Sequence, residues 1–237
     1  MDQVAQFEFL QQGAQGMRKI FQLFLLFLPW GVRRRLLNAC FSYRIDPAAR
    51  IGWAWVYPDH LAMGPGARIG HLTLCKGLRE LRMGAFSSIG RGNWITGFPA
   101  GHDRHFAHET DREPVLEVGD HAAVTNRHLI DCTNRVSLGE YSTLAGFGTQ
   151  ILTHSIDLAA SRQSSRPVSI GRYCFVGTAS VIVGGARLPD YSVLAAMSLL
   201  HADFSDTCTL YGGVPAKAVQ ALDPDLAYFQ RARGFVD

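Results

Sequence analysis

The sequence has no C-x-x-C pair among its five cysteines, Cys40, Cys75, Cys132, Cys174 and Cys208. Odd in number and widely scattered, they exclude a disulfide framework and a cysteine zinc site, and read as small core fillers in a reducing compartment. Charge of one sign is also scarce: 237 residues, 18% of them charged, carry a formal net charge of +3. That balance alone does not imply nucleic-acid binding. No uncharged run is long enough to cross a bilayer as a helix, which takes ~20 apolar residues. The longest candidate, Ile20 to Val32, is too short. No signal peptide with a cleavage site is visible, so a cytoplasmic location is expected.

What the sequence does have is an aliphatic-glycine pair recurring at multiples or near-multiples of six residues. Ile51-Gly52, Met63-Gly64, Ile69-Gly70, Met83-Gly84, Ile89-Gly90, Val118-Gly119, Leu138-Gly139, Ile170-Gly171 and Val176-Gly177 carry it. A short fixed period without helical patterning means a solenoid in which each hexad gives one strand and three strands close one triangular coil. The aliphatic residue points inward and stacks on its equivalents. The glycine is expected at the corner, where unusual dihedrals and close approach suit it. A β-sandwich would instead alternate strands with turn clusters every 8–12 residues. The fold class expected is an all-β solenoid.

Three stretches leave the period. From about Ala14 to Tyr43 apolar residues follow helical spacing and run into Arg33-Arg34-Arg35. That combination suits a helix lying on an anionic membrane surface, or equally one capping the solenoid or packing on another subunit. Two polar insertions, one between Ile95 and Val115 and one between Asp157 and Pro167, leave the scaffold as loops, where sites tend to sit. The first holds His102, His105 and His108. Their spacing matches no standard ligand set, and no metal is expected. Domain boundaries follow: 1–47 N-terminal helical segment, 48–220 solenoid, 221–237 with a short C-terminal helix over Pro224 to Arg233.

The segments LGEYSTLAGFGTQILTHSID (138–157), VSIGRYCFVGTASVIV (168–183), LPDYSVLAAMSLL (188–200) and YGGVPAKAV (211–219) resemble the hexapeptide-repeat acyltransferases. The likeness is nearest to the O-acetyltransferases of exopolysaccharide and O-antigen synthesis, and it spans roughly residues 50–220. It implies a left-handed β-helix, acetyl-CoA as co-substrate, a sugar or lipid-linked glycan as acceptor, and a homotrimer with sites between subunits. His154 matches the family's general base, a role suited to imidazole because a sugar hydroxyl attacks a thioester only as its proton is removed. Asp157 either orients His154 or starts the loop turn. Asn126, His128 and Asp131, about one coil earlier, are candidates for the acceptor pocket, with His128 the rival for the base. Gly177, Thr178, Ala195 and Ala196 match positions flanking the pantetheine arm, and Lys217 matches the cation that meets the nucleotide phosphates. His201-Ala202 stands where the family often has Thr-Lys, a lost phosphate contact for which Arg172 and Arg187 are the candidates to compensate. Two other readings remain: a γ-class carbonic anhydrase on the same fold, which needs three converging histidines, and a non-catalytic membrane-associated scaffold.

Overall fold

The structure, a computed structural model, describes residues 20–41, 43–100, 105–234 and 236. Three parallel sheets wrap into a left-handed triangular prism. The first has seven strands, from Arg44–Ile45 to Arg187–Leu188. The second starts at Arg50–Ile51, reaches Val193–Leu194, and ends in the antiparallel hairpin Thr209–Gly213/Ala216–Ala221. The third has seven strands, from Trp55–Tyr57 to Leu199–Leu200.

The inward aliphatic positions explain the stacking. Ile51, Ile69, Ile89, Val124, Leu144, Val176 and Leu194 lie in successive coils of the second sheet, and all are buried. Each coil alone exposes its apolar inner face, so burial is complete only where a neighbouring coil covers it. The paired glycines act through close approach: a Cβ on Gly139 would sit 2.6 Å from Arg172 N. The unusual dihedrals fall elsewhere. Phe86, His121, Tyr141, Tyr173 and Tyr191 occupy the corner between the first and second sheets with φ between 54 and 57°. A left-handed conformation costs a non-glycine residue about 1–2 kcal/mol. Here the five rings form one stack, with centroids 4.6 to 5.4 Å apart and planes within 15°, which offsets that cost.

The ends differ from the sequence-based expectation. The N-terminal segment is two helical pieces, residues 20–25 and Trp30–Cys40, because Pro29 cannot continue a helix and instead caps the second. Residues 1–19 lie outside the described residues. In the basic run, Arg33 is buried and donates to Gly52 O and Ala54 O, while Arg34 donates to Ile45 O. Two of its three guanidinium groups thus hold the helix to the prism. The C-terminal helix shrinks to one turn, Ala227–Gln230. Around it Tyr228 packs edge-on to Phe175 and Phe229 edge-on to Tyr191, which seats the segment on the second sheet.

The three faces differ in character. The first sheet is charged and ion-paired outside, with Arg79 and Arg135 on Glu113, and Arg82 and Arg135 on Glu117. The second is partly covered by the C-terminal segment. The third presents an outward column of register partners, Trp55, Leu74, Trp94, Leu129, Gln150, Val181 and Leu199, of which six are apolar.

Candidate active site

The second insertion leaves the prism as an antiparallel hairpin, His154–Asp157 against Arg162–Ser165. His154 is its first residue, immediately past the third-sheet strand Gln150–Leu152. One coil earlier Asp131 ends the strand Leu129–Asp131 and stands beside Leu152 in register. The stacking therefore brings Asp131 Oδ2 within 2.7 Å of His154 Nδ1.

Asp131 is 6% exposed and surrounded by donors. Thr133 N–H and hydroxyl donate to Oδ1 at 3.0 and 2.6 Å. Thr153 N–H and His154 N–H donate to Oδ2 at 2.9 and 3.1 Å. The Thr153 hydroxyl lies 2.8 Å from Oδ2 and 3.0 Å from Asp131 O, and donates to one at a time. Burial pushes this carboxyl upward, but the hydrogen bonds from His154, Thr133 and Thr153 and the charge of His154 outweigh it and hold the group at about 2. An ionised carboxylate only accepts, so the proton of neutral His154 sits on Nδ1 and the lone pair on Nε2. The Asp131 hydrogen bond raises the His154 pKa, against an opposing push from partial burial and from the Arg112 charge. The result is an oriented imidazole beside a cleft of about 330 Å³, lined also by Ser155, Ser164, Ser165, Arg166 and Gly184.

The first insertion packs against the His154 ring. Phe98 and Phe106 stand edge-on to the His154 ring, centroids 6.0 and 6.1 Å away. Arg112, nearly buried, donates to Phe98 O, Pro99 O and Thr133 O and lies 4.6 Å from the Phe106 ring. Glu109 bridges the two insertions by accepting from Ser165 N–H at 2.7 Å and from its hydroxyl. Sequence reasoning missed Phe98, Phe106, Glu109 and Arg112, because an insertion has no period to locate its residues against the coils.

The other predicted residues separate. Asp157 accepts from Ala159 and Ala160 N–H and pairs across the hairpin with Arg162, so it builds the hairpin turn while Asp131 meets His154. His128 is 1% exposed within the prism. Its Nδ1 accepts from Thr149 N–H at 3.1 Å, and its Nε2 lies 2.9 Å from the Thr125 hydroxyl, which in turn reaches Leu144 O. Burial, only partly opposed by a backbone hydrogen bond to Leu144, pulls its pKa down to about 4. This is a neutral imidazole filling an inner corner, out of reach of an acceptor. Asn126 sits exposed at the second–third sheet corner, accepting from Arg91 N–H, on the far side of the third sheet from Asp131.

Gly177, Thr178, Ala195, Ala196 and Lys217 do come together, at that second–third sheet corner. A Cβ on Gly177 would fall 2.5 Å from Ala196 N, the Thr178 hydroxyl donates to Phe147 O, and Ala195 N–H donates to Tyr211 O. Lys217 is exposed on the hairpin strand beside Gly212, whose backbone packs on Ala195. Phe147, Met197, Val214 and Val219 add exposed apolar surface there. Small residues, open apolar side chains and an exposed lysine suit a ligand with a long arm and a phosphate end. Neither Arg172, ion-paired to Asp190, nor Arg187, on the first sheet, lies at this corner to compensate for His201-Ala202.

Among the described residues no three His, Cys, Asp or Glu side chains converge as a metal-ligand group; His102 lies outside them. His105 stacks obliquely on Phe98, and His108 Nε2 is 3.8 Å from Glu109 Oε1. Burial pushes the Cys75 and Cys174 thiols up to about 12 and Cys132 well above its usual value, which leaves all three unreactive. No described helix is long and apolar enough to cross a membrane.

No family model matches the sequence, and no curated protein matches it. Solved structures do. One is an N-acyltransferase, AntD of Bacillus cereus, in complex with dTDP and coenzyme A, at TM-score 0.53 and 16% identity over 83% of this chain and 93% of that one. Another form of AntD, bound to dTDP-4-amino-4,6-dideoxyglucose and coenzyme A, gives TM-score 0.53 and 15% identity over 84% and 93%. A maltose O-acetyltransferase of Clostridium difficile 630 gives TM-score 0.48 and 16% identity over 59% and 68%. The chain therefore has the fold of the hexapeptide-repeat acyltransferases.

Proposed function

We propose that the protein is a coenzyme A-dependent O-acyltransferase, using acetyl-CoA to acetylate a sugar or glycan intermediate of surface polysaccharide synthesis. The observation that carries this reading is His154, its Nδ1–H held by buried, ionised Asp131 and its ring beside a cleft lined by Ser155, Ser164 and Ser165. His154 Nε2 takes the acceptor hydroxyl proton as oxygen attacks the thioester carbonyl, and returns it to the departing thiolate. Both substrates meet in one complex, so no covalent enzyme intermediate is needed. The solved neighbours with coenzyme A and a dTDP-sugar support the substrate classes.

The coenzyme residues stand at one edge of the third sheet and His154 at the other. Three copies facing a common axis through that sheet set one copy's Thr178, Ala196 and Lys217 beside its neighbour's His154. The outward apolar column, with Trp94 57% exposed, supports this homotrimer. Trp94→Glu is expected to give a monomer by light scattering and to lose transfer activity. A trimer in that variant with full activity would move the interface to another face.

The direct test is acyl transfer from acetyl-CoA to a panel of sugars and nucleotide sugars, with calorimetry of coenzyme binding. Lys217→Ala is expected to weaken coenzyme A binding about tenfold, the loss of one charge-assisted phosphate contact, with little change in kcat. Unchanged affinity would remove Lys217 from the site.

A further inference from the structure

At the N-terminal end of the prism a basic groove and an apolar rim lie side by side, and the chemistry above uses neither. The groove, about 520 Å³, is lined by Arg50, Arg68 and Arg91 together with Trp30, His71 and Asn126. Arg50 and Arg68 are register partners on adjacent strands. Like charges placed directly opposite repel each other. The first-sheet arginines Arg79, Arg82 and Arg135 all have glutamate partners. Among the described residues, Arg50, Arg68 and Arg91 have neither an ion pair nor a side-chain hydrogen bond. Three arginines without side-chain partners lining one groove suit phosphate, which would relieve their repulsion and accept their hydrogen bonds.

The rim decides what carries that phosphate. Gly52 and His71 in the groove wall are followed by Trp53 and Leu72, 66% and 78% exposed and joined by a Leu72 N–H to Trp53 O bond of 2.6 Å. Phe27 packs edge-on to Trp53 at 6.4 Å and, with Phe24, is exposed. Trp30, a few residues on, enters the groove itself. A dissolved anion has no use for four exposed hydrophobic side chains beside its site. A bilayer surface uses both: aromatic and aliphatic side chains enter the headgroup boundary, and arginines take the lipid phosphates.

We propose that this end of the prism docks on an anionic phospholipid surface, with Phe24, Phe27, Trp53 and Leu72 in the interface and lipid phosphate in the Arg50–Arg68–Arg91 groove. This replaces the Arg33-Arg34-Arg35 run as the membrane-facing charge, since Arg33 and Arg34 are engaged with backbone carbonyls. The inference does not depend on acyl transfer, and its readout is vesicle binding.

The test floats the full chain with phosphatidylcholine vesicles and with vesicles in which about a third of the lipid is phosphatidylglycerol. Binding to the second set alone is expected, falling steeply in high salt. It should weaken about a hundredfold in the Arg50→Ser, Arg68→Ser, Arg91→Ser variant, from the loss of three surface cations, and markedly in Phe27→Ser with Trp53→Ser, each with an unchanged circular dichroism spectrum. The salt series on the unaltered chain tests the charge term if a variant fails to fold. Absence of binding to anionic vesicles overturns the proposal, as does equal binding to both sets. Calorimetric binding of inorganic pyrophosphate without vesicle binding would also overturn it, and would assign the groove to a dissolved diphosphate.

Discussion

Replacing His154 with alanine is expected to lower the turnover number for acyl transfer by roughly 10²–10⁴-fold, the usual contribution of a positioned general base. The imidazole is partly exposed at the hairpin base, so the coils and their apolar stack remain. Thermal unfolding and assembly should therefore change little, and coenzyme affinity should be retained because Thr178, Ala196 and Lys217 lie at another corner. The measurement is initial rate against acceptor concentration, with calorimetry on the same preparation. Near-normal turnover would dismiss His154 as the base. Buried His128 would not replace it, since its ring nitrogens are engaged inside the prism.

Asp131→Asn should be nearly as damaging, and differently. The amide puts N–H groups where a carboxylate oxygen receives Thr133, Thr153 and His154 donors, so at least one donor pair faces another. A loss of about 1–3 kcal/mol of stability is expected for a buried group left unsatisfied. Turnover should fall by roughly 10²-fold or more as the tautomer and orientation of His154 are lost. The pH profile separates this from a purely structural effect. A base works when neutral, so activity in the native protein should rise with pH through the raised His154 value. In Asp131→Asn the midpoint of that rise should move down, because the raising hydrogen bond and charge are gone. An unmoved midpoint would mean that Asp131 does not act through His154.

Stability should follow the same pair with opposite signs. Asp131 has a depressed folded-state pKa, so its contribution is present above the ordinary value near 3.8 and is lost as pH falls through about 2. His154 has a raised one, so its contribution is full below the ordinary imidazole value and is lost as pH rises through the raised one.

The prism was legible because its core leaves little choice. Every inward position must match the one above it, and Ile51-Gly52 through Val176-Gly177 repeat that demand in the sequence. The place of His154 at the foot of the hairpin was legible because it directly follows a regular strand. The place of its partner was not: the unequal coil spacing around Val118 to Leu138 hid that Asp131 stands in register with Leu152. With that register uncertain, the nearer Asp157 was the natural candidate, although its carboxylate is used by its own turn. Phe98, Phe106 and Arg112 lie in an insertion whose placement depends on contacts far away in sequence. The arginine run at 33–35 misled in another way, because charge patterning does not distinguish a guanidinium facing solvent from one holding backbone carbonyls.

Because each coil touches chiefly the coils on either side of it, the prism is a ruler graduated in strand spacings. His154 and Asp131 are one graduation apart, and their separation is set there alone. A duplicated coil inserted between Met63 and Leu81 would lengthen the ruler without moving that mark. It would, however, part Arg50 from Arg91 and so split the arginine groove. Coil number at the N-terminal end is thus free to change only at the expense of the groove, while the separation of Asp131 from His154 stays fixed.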